Sequence, residues 1–185
     1  MKILGLSAFY HDSAACLVID GKVVAAAQEE RFTRVRHDKS FPSNAISFCL
    51  NFENIKLSGV DYIVFYEKPL KKFKRLVSTY LDNAPYGYEV FNASLPEWLN
   101  GKLFQKDKII NQFQSEYNFD VTDRLLFSEH HLSHAGSAFF PSPFEEAAVL
   151  TIDGVGEKAT TTIAYGDGNQ LTLLKEFSYP NSLGL

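Results

Sequence analysis

Two stretches of this chain lie over each other without a gap at an offset of 146 residues: ILGLSAFYHDSAACLVI (3–19) and VLTIDGVGEKATTTIAY (149–165). Ile3 falls on Val149, Leu6 on Ile152, Ser7 on Asp153, Ala8 on Gly154 and Leu17 on Ile163. Each copy reads as strand, small polar turn, strand. A glycine turn follows at nearly the same place, Asp20–Gly21 in the first copy and Gly166–Asp167–Gly168 in the second. Alternating apolar residues match each other readily, but a matched order of turn types is harder to produce by accident. The pattern predicts a duplicated β-β-β unit.

The residues between the copies predict alternating elements. KILGLS (2–7), AACLVI (14–19) and KVVAAAQ (22–28) read as strands, with Asp20–Gly21 as a tight hairpin. The charged run 29–40 reads as a loop. PSNAISFCLNF (42–52) carries Ala45, Ile46, Cys49 and Leu50 at helical spacing, with Ser43 as the cap. DYIVFYE (61–67) is a strand ended by Pro69. Helices follow over 70–81, with Leu70, Phe73, Val77, Tyr80 and Leu81 on one face, and over 103–117, with Ile109, Ile110, Phe113 and Tyr117. RLLFS (124–128) is a strand and the histidine-rich stretch after it a helix. Strands at 147–153, 159–165 and 171–177 close the chain. Tyr86–Gly87–Tyr88 and Trp98 read as packing or loop residues, Lys71–Arg75 as a solvated helix face, and Glu29 and Glu30 receive no role.

Such alternation implies an α/β layered fold. A duplicated β-β-β unit with helices after each copy is the plan of the actin-like ATPase and sugar-kinase superfamily, the ribonuclease-H-like fold. On that plan residues 1–145 form the first subdomain, and 146–185 begin the second. Net charge is −4, which gives no general attraction for nucleic acid or an anionic membrane. No signal-peptide pattern stands at the N-terminus, and no run approaches the ~18 apolar residues of a bilayer span. Cys16 and Cys49 lack metal-like spacing and read as buried free thiols. A soluble cytoplasmic protein is expected.

Three of the five histidines fall in EHHLSHAGSAFF (129–140). On a helix His130 and His134 share a face while His131 points elsewhere. Two neutral imidazoles at that spacing can chelate one divalent metal, although histidines four apart on an exposed helix need do nothing. Two features favour metal: the helix starts just after a strand, at the sheet edge where α/β proteins bind ligands, and Asp153 closes the next strand. His130, His134 and Asp153 are a sensible partial ligand set for Fe²⁺, Mn²⁺ or Zn²⁺, with His131 behind them or in packing. Gly154 and Gly156 let backbone come close to a ligand, with N–H groups able to face an anion. In the first-copy turn His11, beside Asp12, is either a general acid/base or a solvated turn residue. Arg31, Arg34, Arg36 and His37 suit capture of phosphate or carboxylate, or else form a solvated loop.

Together, GLSAFYHDSAACLVIDGKVVAAAQEERFTRVRHD (5–38), HHLSHAGSAFFPSPFEEAAVLTIDGVGE (130–157) and YPNSLGL (179–185) resemble the NodU/CmcH-type O-carbamoyltransferases of nodulation and antibiotic tailoring. The resemblance implies an N-terminal domain like the Kae1/TsaD tRNA-modification proteins, followed by a YrdC-like domain. The latter makes carbamoyladenylate from carbamoyl phosphate and ATP; the former passes the carbamoyl group to a hydroxyl of a small acceptor. It implies metal ligands at His130, His134 and Asp153, with Fe²⁺ first and Mn²⁺ or Zn²⁺ as alternatives, and a catalytic His11. Arg36, where lysine is common in the family, would handle carbamoyladenylate, with Ser7, His37, Gly154 and Gly156 on the substrate or nucleotide. A later aspartate ligand and the YrdC-like half have no counterpart before Leu185. The chain is therefore expected to be a truncated piece or a very short relative, inactive alone. The competing expectations are a sugar-kinase or ATPase half-domain with Asp153 on Mg²⁺, and a non-catalytic metal- or nucleotide-binding module whose open edge favours a homo-oligomer.

Overall fold

In the computed structural model, which describes residues 1–185, contacts divide the chain into two compact units. Unit 1 is Met1–Tyr66 with Lys106–Phe127, and unit 2 is Glu67–Gln105 with Ser128–Leu185. The α/β class expected from the sequence is what the chain adopts.

Unit 1 is built on a five-stranded sheet in the order β3-β2-β1-β4-β5. β1 (Lys2–Ser7), β2 (Ala14–Ile19) and β3 (Lys22–Gln28) form an antiparallel meander. β4 (Tyr62–Phe65) and β5 (Leu125–Phe127) add to β1 in parallel. The alternation of β1 sets the core: Leu4 and Leu6 are buried, whereas Ile3 and Gly5 are only half-buried. Asp20 and Gly21 have φ of 49° and 81°, the left-handed pair that a two-residue hairpin demands.

Of the expected loop 29–40, Glu30–Thr33 forms a single helical turn, α1, stopped by Arg34 in the left-handed conformation. Short-range charge hid it, since one turn buries nothing and leaves no apolar period. α2 (Ser43–Phe52) buries Ala45, Ile46, Cys49 and Leu50, as the spacing predicts. Its cap differs from the expectation. Ser43 lies inside the helix and makes no capping bond. Glu29, 2% exposed, serves instead: Oε1 accepts from Asn44 N–H (3.2 Å) and Asn44 Nδ2 (2.6 Å), and Oε2 from Ala45 N–H (2.9 Å). An anion there satisfies orphan donors and complements the helix dipole. α5 (Gln105–Tyr117) sends Ile109 and Phe113 into the same core, Phe113 edge-on to Phe41 at 5.2 Å.

Unit 2 carries a second antiparallel meander, β6 (Glu146–Ile152), β7 (Ala159–Asp167) and β8 (Gln170–Ser178). α6 (His130–Phe139) packs on it through Ala135 and Phe139, against Val149 and Ala164. The two meanders share their register. Ile3 pairs with Val18 and Leu4 with Leu17; at the repeat offset, Val149 pairs with Ala164 and Leu150 with Ile163. Both then shift register at equivalent points, between Leu17 and Val18 and between Ile163 and Ala164. The second has another irregularity between Ala159 and Thr161.

α3 (Pro69–Asn83) is longer than expected, and α4 (Tyr88–Leu99) was not foreseen. Pro96 and the Tyr-Gly-Tyr run disguise α4, which aromatic pairing holds in place: Tyr80 stacks on Phe91 at 4.4 Å and Phe73 meets Trp98 at 5.8 Å. The buried strip on α3 is consequently narrow. Leu70 and Leu81, expected on that face, stay 68% and 67% exposed. No helix is long and apolar enough to cross a membrane.

Candidate functional site

Within unit 2 the start of α6 is set by a side chain from the turn after β6. The buried Glu157 carboxylate accepts the His130 N–H at both oxygens (3.1 and 3.0 Å), and Oε1 also accepts the Lys68 N–H (2.8 Å). The same turn begins with Asp153, so one short segment presents a carboxylate and anchors the helix that carries the histidines. His130 Nε2 lies 3.0 Å from Asp153 Oδ2 and 3.0 Å from His134 Nε2. The three donor atoms are all within 4.8 Å of one another. Two imidazole nitrogens at that separation can share only one proton, and a carboxylate oxygen beside them adds a third electron pair. The donor set of two nitrogens and one oxygen fits a divalent transition metal.

Burial, then the neighbouring His130, lowers the pKa of His134 below its ordinary value. That favours the neutral imidazole, the form that binds metal. Asp153 Oδ1 accepts the Gly154 N–H (2.7 Å), which turns Oδ2 toward His130. His131 points away and is buried: its Nδ1 meets Thr151 Oγ1 at 2.6 Å, and Thr151 meets Thr162 at 2.6 Å.

The two glycines of the DGVG turn spend their N–H groups inside the protein. Gly154 donates to Asp153, and Gly156 donates to Ala159 O at 2.8 Å. What Gly156 supplies is room. A Cβ there would sit 2.9 Å from His131 Cδ2 and 3.1 Å from His130 Cβ, so any side chain pushes against the histidine helix. The basic run that the sequence presented as a solvated face is engaged as well. Lys72 pairs with Glu67, Lys71 with Glu129, and Arg75 Nη1 donates to Gly156 O at 2.6 Å. Its charges were legible; their partners in the fold, Glu129 and Gly156 O far along the chain and Glu67 five residues back, were not.

Within unit 1 a second set forms around Asp12, which has a φ of 49°. His11 Nδ1 donates to Asp12 Oδ2 (2.8 Å) and His37 Nδ1 to Asp12 Oδ1 (2.9 Å). Arg36 Nε donates to His37 Nε2 (3.1 Å), and Glu30 Oε2 accepts the His37 N–H (3.1 Å). Backbone bonds stitch this turn to the charged loop: Phe9 N–H to Lys39 O and Ser13 N–H to Asp38 O. His11 and His37, far apart in sequence, thus meet through one carboxylate, and Arg36 joins them through His37. The bonds from His37 and His11 hold Asp12 below the usual carboxylate range. Asp12, Glu30 and His37 also place three ligand-type atoms within 4.8 Å. Ser7 ends β1 opposite Ala14.

The family model described as "Carbamoyltransferase N-terminus" matches residues 2–185, and the chain is a member of that family. Among curated relatives, an uncharacterised protein of Synechocystis is 57% identical over 185 residues, covering 99% of this chain and 30% of its own length. Nodulation protein NolNO of Sinorhizobium fredii is 36% identical over 177 residues, 96% of this chain and 24% of its own. An uncharacterised protein of Methanocaldococcus jannaschii is 22% identical over 174 residues, 94% and 26% respectively. The chain therefore spans less than a third of the length of each of these relatives.

Proposed function

We propose that this sequence forms the carbamoyl-transferring part of a carbamoyltransferase, passing the carbamoyl group of carbamoyladenylate to a hydroxyl of a small acceptor. The convergence of His130, His134 and Asp153 inside a member of this family carries the reading. Carbamoyladenylate would come from a YrdC-like domain acting on carbamoyl phosphate and ATP. The fold reading is actin-like, with 1–145 as the first subdomain and 146–185 as the start of a second built on a duplicated β-β-β unit. Shared strand register and the equivalent register shifts of the two meanders support the duplication.

His130 and His134 through Nε2, with Asp153 through Oδ2, would hold the divalent cation, Fe²⁺ by preference and Mn²⁺ or Zn²⁺ otherwise. Bound there, the metal supplies Lewis-acid polarisation of phosphate or carbamoyl oxygens. In the other cluster Asp12 holds His11 by Nδ1–H, which leaves Nε2 as the basic nitrogen for the acceptor hydroxyl. The hydroxyl oxygen then bonds to the carbamoyl carbon, the carbon–oxygen bond to phosphate breaks, and AMP leaves with the electron pair. The hydroxyl proton passes to His11, whose cation is stabilised by the Asp12 carboxylate. Within unit 1, Ser7, Arg36 and His37 would meet the adenylate, and within unit 2 Gly156 would keep room for the helix that carries the histidines.

The test is carbamoyl transfer by the intact protein, using prepared carbamoyladenylate and a panel of sugars bearing free hydroxyls, with a parallel reaction supplied with ATP in place of carbamoyladenylate. We expect one carbamoyl ester formed for each AMP released, at a rate that falls when divalent metal is chelated. Phosphorylated sugar with ADP from ATP, and no carbamoyl ester, would instead make the protein a kinase.

A further inference from the structure

The His130 ring has a second edge, and the buried residue beside it was assigned no role by the sequence. Glu67 is 7% exposed, and its Oε2 lies 3.5 Å from His130 Nδ1. The same oxygen pairs with Lys72, whose side chain is 18% exposed. Placement of this group is not left to chance. Glu157 accepts the N–H of Lys68, next to Glu67, and the N–H of His130, so one carboxylate fixes both backbones. A carboxylate this buried must be compensated by cationic or N–H partners, and Lys72 and the His130 ring flank it.

We infer that Glu67 is a positioning residue for His130: it takes the Nδ1–H and thereby turns the Nε2 electron pair into the space shared with His134 and Asp153. Lys72 balances its charge and holds its free rotation in check. A histidine ligand whose far nitrogen is held by a carboxylate has its tautomer and ring plane fixed and its basicity raised. Glu67 touches no substrate in this scheme; it acts through His130. The inference rests on the metal reading of His130, His134 and Asp153.

The experiment is calorimetric titration of Zn²⁺, a redox-inert probe, into the chain and its variants. Glu67→Gln is expected to weaken Zn²⁺ binding about 10- to 100-fold, the usual effect of losing such a partner. Because Glu67→Gln strands Lys72, the double variant Glu67→Gln/Lys72→Met removes both charges and should show the same loss while retaining native circular dichroism. A purely structural role would leave the ring proton unmoved. In the Zn²⁺-bound chain, the His130 Nδ1–H should resonate at low field and move upfield in both variants. If both variants bind Zn²⁺ as wild type does while His130→Ala does not, the Glu67 assignment is overturned and the metal site stands. Failure of the wild-type chain to bind Zn²⁺, Mn²⁺ or Fe²⁺ would overturn both.

Discussion

Glu29→Ala is expected to destabilise unit 1 by about 3 kcal/mol, the scale of losing charge-assisted bonds to a buried helix start. Three donors lose their acceptor at once: the Asn44 and Ala45 N–H groups and the Asn44 side-chain amide. Water cannot replace a side chain that is 2% exposed without opening the packing around Ala45 and Ile46, which are fully buried. The carboxylate also sits where the dipole of α2 favours negative charge, so Glu29→Gln, which keeps an acceptor but not the charge, should lose roughly half as much. Urea unfolding followed by hydrogen exchange at the Asn44 and Ala45 amides would report it. Trp98 lies in unit 2, so its fluorescence is an internal control. A loss below about 1 kcal/mol would mean that Glu29 is not what starts α2.

His11→Ala is expected to lower kcat for carbamoyl transfer about 10²- to 10⁴-fold, the range general-base catalysis supplies. His11 is held by one nitrogen on Asp12, and its ring meets Tyr10 at 4.5 Å in a tilted arrangement. With Nδ1–H committed to Asp12, the tautomer leaves Nε2 unprotonated, as a base requires. Asp12 is depressed by its bonds to His37 and His11, so its anion persists down through the usual carboxylate range as well as above it. Acidification through that lowered value is what dissolves the bridge. Asp12→Asn should therefore slow transfer too, because an amide can donate to Nδ1 and select the wrong tautomer. Single-turnover assays of the intact protein with preformed carbamoyladenylate separate this step from adenylate synthesis. Unchanged KM with a reduced rate supports a base; an unchanged rate in His11→Ala would reduce the residue to a packing partner of Tyr10.

How much was legible follows the range of the forces involved. β1 to β3, α2 and the closing meander follow from period and turn chemistry, which act over a few residues. The pairing of His130 with His134 is likewise a matter of helical spacing. Asp153 came from the repeat, and the register shared by the two meanders agrees with that alignment. What escaped was set across the chain. Glu29 caps a helix 15 and 16 residues away, Glu157 fixes His130 from 27 residues away, and Lys71 reaches Glu129 across 58. A charged residue in a polar run looks solvated until its partner is known. α4 failed for another reason: its stability comes from aromatic contacts with α3 rather than from its own pattern.

The most direct test is elemental analysis and metal titration of the chain beside its His130→Ala and His134→Ala variants. The account predicts one Fe, Mn or Zn ion per chain in the wild type, with that stoichiometry lost in both variants while circular dichroism stays native. A chain that takes up no divalent metal, or variants that bind as the wild type does, would contradict the assignment of His130, His134 and Asp153 as ligands.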